Sequence, residues 1–315
     1  MPALNPEVEN LLEMSRKAGA RPFQDLTPEQ ARAVYAAARD VLQPATEDVA
    51  SVRDVTIPTK TGGLALRVFR GAGTQPDETL PCLVFLHGGG WVIGDLESHD
   101  RVCRAFANRA RICVVAVDYR LAPEHRFPAA IDDSFAALRW VADHIASIDG
   151  DPARIVVAGD SAGGNLAANV ALRARDEGGP ALVGQLLIYP VTDYPSDAMP
   201  SYAENGEGYG LTRRSMEHYW TEYLGDAPAD APYAAPLRAA DLGNLPPAFV
   251  LTAEYDVLRD EGEAYAGALQ AAGVDVEVTR YDGVNHGFFS LAGMVAGGAQ
   301  AMRDACDWLG ARFAS

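Results

Sequence analysis

Cysteine is scarce in this chain. The 315 residues contain four, Cys82, Cys103, Cys113 and Cys306, and no two stand at Cys-x-x-Cys spacing. That excludes a disulfide scaffold or a cysteine-based zinc module, and four reduced, buried thiols in a cytoplasmic protein are expected. Positive charge is also short, with 26 Lys and Arg against 43 Asp and Glu, a formal net charge of −17 and a pI of about 4.7. Such a surface repels phosphate backbones and anionic headgroups, which argues against nucleic acid or a membrane surface as partner. No apolar run approaches the ~18 residues a membrane span needs. The opening segment Met1-Pro2-Ala3-Leu4-Asn5-Pro6-Glu7 has neither the basic region nor the apolar stretch of a secretory signal. Repeats, low-complexity tracts, His-x-x-x-His spacing, a phosphate loop and a dinucleotide fingerprint are all missing, so neither a metal nor another cofactor is expected.

What is present is an ordinary globular composition, 48% hydrophobic and 22% charged, long enough for one large α/β domain or two small ones. Residues 1–45 read as two helices. The second has a defined start, with Thr27 as cap, Pro28 in the first turn and Gln30 placed to reach back. From Val52 onward strands and helices alternate. Strands are expected near Val52–Ile57, Leu64–Phe69, Leu83–Leu86, Ile112–Val117, Ile155–Ala158, Leu186–Tyr189, Ala248–Thr252 and Val276–Arg280. Helices are expected near 97–110, 128–147, 161–176, 259–272 and 296–313. The continuously apolar runs suit strands buried on both faces, and the first two, which alternate, suit antiparallel edge strands. The whole is a mostly parallel sheet covered by helices on both sides. Residues 195–247 are irregular, Pro-rich and too long for a simple connection, and read as an insertion over one end of the sheet.

Chemistry concentrates in Gly159-Asp160-Ser161-Ala162-Gly163. It lies between the apolar run Arg154–Ala158 and the helical segment Asn165–Leu172. A serine on a sharp strand-to-helix turn is held clear of the backbone, and the flanking glycines remove side chains that would collide with strand and helix. Such a nucleophile needs a base and an orienting acid, in the chain order Ser, acid, His. Two histidines follow Ser161. His218 falls inside a helical pattern, whereas His286 sits in Asn285-His286-Gly287-Phe288-Phe289 just after the last strand, where a loop can bring an imidazole to the serine. Asp256, after the strand Ala248–Thr252, suits the acid, with Asp193, Glu254 and Asp282 as weaker competitors. Asp160 is expected to brace the turn. An oxyanion site needs converging backbone N–H groups. Ala162 offers one, and His87-Gly88-Gly89-Gly90-Trp91 after the third strand offers more, Gly88 and Gly89 first. His87 is expected to brace that loop. Trp91, Tyr202, Tyr209 and Phe288 are candidate pocket walls.

These segments together resemble the bacterial hormone-sensitive-lipase-like carboxylesterases, the family IV esterases. The resemblance rests on His87-Gly88-Gly89-Gly90-Trp91, Asp118-Tyr119-Arg120-Leu121-Ala122-Pro123-Glu124, Gly159-Asp160-Ser161-Ala162-Gly163-Gly164, Asp256-Val257-Leu258-Arg259-Asp260-Glu261 and His286-Gly287-Phe288, and spans about residues 50 to 310. Val257 departs from the family's usual proline. The resemblance implies an α/β-hydrolase with an eight-stranded, mostly parallel sheet, a core of residues 46–194 and 248–315, and a helical cap of residues 1–45 and 195–247. It implies the triad Ser161, Asp256 and His286, oxyanion donors Gly88, Gly89 and Ala162, and hydrolysis of short- to medium-chain acyl esters through an acyl-enzyme without a cofactor. It also implies a homodimer formed through the last sheet strand. An amide or carbamate hydrolase would use the same triad. A ligand-binding receptor on the same fold, known from plants, lacks the catalytic histidine, which is present here.

Overall fold

A computed structural model describes residues 3–228 and 230–314. Eight strands form a single sheet: β1 (Ser51–Thr59), β2 (Gly62–Arg70), β3 (Leu80–Leu86), β4 (Cys113–Val117), β5 (Gly150–Asp160), β6 (Gly184–Ile188), β7 (Ala248–Tyr255) and β8 (Val276–Asn285). Their order is β1-β2-β4-β3-β5-β6-β7-β8. Only β2 runs against the rest, pairing antiparallel with both β1 and β4. All other pairs are parallel.

The sequence dictates two-sided burial through its period of two. Val84, Leu86, Val115, Val157, Leu187 and Val250 face one core. Their neighbours Leu83, Phe85, Val114, Val156, Leu186 and Phe249 face the other. The first core is covered by α4 (Ala129–His144), α5 (Ala162–Asp176) and α8 (Arg259–Ala271), the second by α3 (Asp100–Ala110) and α9 (Ala296–Ala314). Helix α3 starts three residues later than its pattern suggests. Asp95 and Ser98 bond reciprocally, Ser98 N–H to Asp95 Oδ1 at 2.6 Å and Asp95 N–H to Ser98 Oγ at 2.9 Å, and this turn keeps the segment out of the helix.

Helix α1 (Pro6–Lys17) docks beside β8 and α9, with Asn5 N–H on the carbonyl of Gly283 and Ala296 N–H on Glu7. Helix α2 (Pro28–Leu42) begins with the expected reciprocal cap between Thr27 and Gln30. Its Arg32 donates to the carbonyls of Val92 and Ala122 and pairs with Glu124. The insertion contains α6 (Ser201–Glu204) and α7 (Arg213–Leu224). The N-terminal segment meets α7 through Ser215 Oγ on Gln24 (2.9 Å) and Arg214 on Asp25 (2.8 Å). Two segments far apart in sequence therefore lie together over the carboxyl ends of the parallel strands.

Candidate active site

β5 ends at Asp160 and α5 begins at Ala162, which leaves Ser161 alone in the turn with φ 56° and ψ −119°. A left-handed serine carries strain of roughly 1–3 kcal/mol and persists only where its surroundings enforce it. Two contacts do so. Ser161 N–H is tied to the carbonyl of Ile188 at 2.9 Å. The glycine after the turn packs so tightly on β3 that a methyl at Gly163 would lie 1.9 Å from the Leu86 carbonyl oxygen. The serine side is nearly closed to solvent, at 8% exposure.

Asp256 leaves the end of β7 and His286 the end of β8, and the structure brings both to the serine. His286 Nε2 lies 2.9 Å from Ser161 Oγ, and its Nδ1 lies 2.6 Å from Asp256 Oδ2. A carboxylate at Nδ1 fixes the proton there and leaves Nε2 free to accept from the hydroxyl. Asp256 is 1% exposed, and its other oxygen accepts the N–H of Leu258 at 3.0 Å. Asn205 of the insertion donates to the carbonyls of Glu254 and Asp256, and Ser201 Oγ donates to that of Val257, so the insertion also holds this loop. The weaker acid candidates are engaged elsewhere. Asp193 pairs with Arg238. Glu254 accepts the N–H of Gly283 at 2.8 Å. Asp282 is exposed. His218 packs beside Tyr219 on α7.

The Gly-rich loop corrects one expectation. Gly88 N–H is already bonded to Asp160 Oδ1 at 2.8 Å and has no proton for a substrate oxygen. The N–H groups of Gly89, Gly90 and Ala162 donate to no protein acceptor among the described residues. Both later glycines are obligatory: Gly89 (φ 122°) and Gly90 (φ 59°) would place a methyl 2.2 Å from the Ile93 carbonyl oxygen and 2.4 Å from the Tyr219 ring. His87 braces the loop, with its Nδ1 2.8 Å from the Gly88 carbonyl and its ring stacked on Tyr119. Burial, reinforced by the neighbouring His99, pushes its pKa down to about 4.

Three expected pocket residues are packing residues instead. Trp91 is 0% exposed and stacks on Tyr223 with ring centroids 4.2 Å apart. Tyr202 is buried and donates its hydroxyl to Glu261, whose carboxyl burial pushes up to about 8. Phe288 is buried between Tyr189 and Tyr281. Apolar side chains gain more from the core than from an open wall, and sequence alone does not reveal which of two apolar surroundings an aromatic will choose. Tyr209 is half-buried near the site, its carbonyl bonded to Asn285 and its ring on Tyr255. Two site residues had no sequence signal. Tyr189 packs its ring 4.6 Å from that of His286, and Tyr219 lies against Gly90. Among the described residues no group of three or more His, Cys, Asp or Glu could hold a metal ion, and no helix is long and apolar enough to cross a membrane.

Comparison with known proteins agrees with this geometry. Residues 83–290 match a family of the alpha/beta hydrolase fold. The chain is 42% identical to the esterase LipI of Mycobacterium tuberculosis over 303 residues, covering 95% of this chain and 92% of that one. It is 48% identical over 228 residues to the carboxylesterase NlhH of the same organism, covering 71% of each. An alpha/beta hydrolase enzyme from the metagenome of Lake Arreo, LAE6, superposes with a TM-score of 0.95 at 40% identity over the full length of both chains. The chain belongs to the bacterial hormone-sensitive-lipase-like carboxylesterases, carboxylic ester hydrolases of the alpha/beta hydrolase fold.

Proposed function

We propose that Ser161, His286 and Asp256 hydrolyse short- to medium-chain acyl esters through an acyl-enzyme, with the oxyanion held by the N–H groups of Gly89, Gly90 and Ala162. The continuous relay from Asp256 Oδ2 through His286 to Ser161 Oγ, with contacts of 2.6 and 2.9 Å, carries this reading. As Ser161 Oγ attacks the ester carbonyl, its proton passes to His286 Nε2, and Asp256 stabilises the imidazolium that results. Negative charge grows on the carbonyl oxygen and is met by the free amides of the glycine loop and of the α5 N-terminus. The tetrahedral adduct collapses, His286 returns the proton to the leaving alkoxide, and the alcohol departs. Water then repeats the sequence on the acyl-Ser161 ester and releases the carboxylic acid.

Residues 1–45 and 195–247 act in this reading as a cap over the site, on a core of residues 46–194 and 248–315. Phe23, Tyr35 and Tyr219 bound the acyl path, because Phe23 packs edge-on to Tyr35 and Tyr219 lies on the oxyanion loop. The reaction needs no metal or other cofactor. The enzyme works in the cytoplasm, where four buried and unpaired cysteines stay reduced, and as a homodimer joined through β8. Ser161→Ala decides the central claim. With p-nitrophenyl butyrate its turnover falls by at least about a thousandfold, since triad members act as a unit. Near-normal turnover in that variant overturns the reading.

A further inference from the structure

Strand β7 carries the acid past the point where the sheet can hold it from both sides. Its ladder with β6 ends at Leu251, opposite Ile188, and its ladder with β8 shifts register between Ala253 and Tyr255. Beyond Leu251 no strand among the described residues lies on the β6 side of β7. The carbonyls of Glu254, Asp256 and Val257 fall in this stretch, and buried backbone groups need partners. The insertion supplies them from α6, a helix of 4 residues that Asn205 closes with its N–H on the Ser201 carbonyl at 2.9 Å.

Two side chains of this segment meet the acid loop. Asn205, 3% exposed, donates Nδ2–H to the carbonyls on either side of Tyr255, that of Glu254 at 3.2 Å and that of Asp256 at 3.1 Å. Ser201 Oγ donates to the Val257 carbonyl at 2.6 Å, and Ser201 N–H donates to Asp260 Oδ2 at 2.7 Å. Further along, the same segment meets the base loop. Asn285, the residue before His286, donates Nδ2–H to the Tyr209 carbonyl at 2.8 Å. The Tyr209 ring packs 4.9 Å from that of Tyr255, the residue before Asp256. Residues 201–209 therefore bridge the loop of the acid and the loop of the base.

We infer that residues 201–209 form a positioning strap that sets the contact between Asp256 and His286, with Asn205 as the positioning residue for the acid and Asn285 as that for the base. The inference rests on the proposed triad. Neither asparagine touches a reacting atom, and each acts through the backbone beside a triad member. Within its own loop Asp256 is anchored by the bond from Leu258 N–H to Oδ1 at 3.0 Å. That bond moves with the loop and cannot fix its place against β8. Asn205 holds the loop from outside. The contact it protects, 2.6 Å from Asp256 Oδ2 to His286 Nδ1, leaves little room for displacement. A shift of about 1 Å in a catalytic group can cost on the order of a hundredfold in rate. Tyr202 offers a comparison within the same helix. It is equally buried, but its hydroxyl goes to Glu261 on α8 at 2.8 Å and not to the acid loop.

Kinetics with p-nitrophenyl butyrate and proton NMR of the full chain test it. Asn205→Ala should lower kcat roughly ten- to a hundredfold, with KM within about twofold of wild type. The His286 Nδ1 proton, shifted far downfield in wild type by its short bond to a buried carboxylate, should move upfield or broaden in this variant. Tyr202→Phe removes a buried hydrogen bond from the same helix, so it should lower Tm while kcat and the proton resonance stay near wild type. Asn285→Ala reads the other end of the strap and should also lower kcat, and it decides the matter if Asn205→Ala does not fold. Wild-type kcat in a folded asparagine variant, an unmoved resonance in Asn205→Ala, or an equal loss of kcat in Tyr202→Phe would overturn the strap. The resonance does not require Ser161 to be the nucleophile, so a failure of the triad reading, which Ser161→Ala exposes, remains distinguishable.

Discussion

Asp256 and Asp193 both follow a strand of the parallel sheet, and at the level of single residues they are told apart by their partners. Asp256 is buried against His286, whereas Asp193 is paired with Arg238, a half-exposed side chain. Asp256→Asn leaves the shape but favours the wrong imidazole tautomer, so kcat should fall on the order of a thousandfold or more. Asp193→Asn should leave kcat near its wild-type value. Steady-state kinetics of the two variants, with circular dichroism to confirm folding, separates them, and the reverse ranking would refute the assignment of the acid. His87 gives a stability prediction. Its pKa is about 4 in the fold and near 6.5 in the unfolded chain, so the unfolded state binds the proton first. Its neutral form therefore supports the fold fully above about pH 6.5, and that support is lost as pH falls toward 4 and below, amounting to roughly 3 kcal/mol. Denaturant melts across this range should show a steeper acid loss in wild type than in His87→Gln. Equal slopes would contradict it. The serine turn, the histidine and the acid were legible because each needs a fixed local setting: a glycine-flanked turn or a loop at a strand end. The assignment of Gly88 as a donor failed for a reason local pattern does not contain. Asp160, seventy-two positions away, takes that N–H first.

Among elements, the N-terminal segment and the insertion show what sequence does and does not encode. The start of α2 was readable to the residue, because a capping box involves only neighbours three apart. The parallel strands were readable because burial on both faces leaves an unbroken apolar run. How α7 docks was not readable. Trp91 stacks on Tyr223 and Tyr194 packs on Trp220 across separations of more than twenty residues, and any of these aromatics could have faced a ligand instead. The docking has a consequence for substrate. Tyr219 sits against Gly90, and in the proposed reading it bounds the acyl path together with Phe23 and Tyr35, whose rings pack edge to face. Each methylene that fits gains roughly 0.8 kcal/mol, and the first that does not fit loses it by clash. With p-nitrophenyl esters, kcat/KM should rise from acetyl toward butyryl or hexanoyl and fall beyond about octanoyl. Tyr219→Ala should move the maximum to longer chains. An unbroken plateau in wild type out to the longest soluble esters, with activation at emulsion interfaces, would mean that the cap opens and the path is not confined.

At the scale of the whole molecule, the sheet formed by the described residues has two edges, β1 and β8, and they differ in what they offer a partner. Among the described residues strand β8 pairs only with β7, and it shows Val278 to solvent at 39% exposure. An open parallel edge with apolar character invites a second copy, and a two-fold axis lets the same strand serve both partners without leaving a further edge. Against this stands the net charge of −17 on each chain, so two copies repel before their strands meet. The balance gives a directional expectation. Dimerisation through β8 should strengthen as salt screens the repulsion, the opposite of an interface held by complementary charges. Val278→Glu would set two further like charges near the axis and should shift the protein to monomer, while kcat stays unchanged because β8 reaches the site only at its far end, through His286. Light scattering of wild type and Val278→Glu on a sizing column, at low and high salt, reads all of this. A wild-type monomer at every salt concentration, or a dimer that Val278→Glu does not disturb, would remove β8 as the interface.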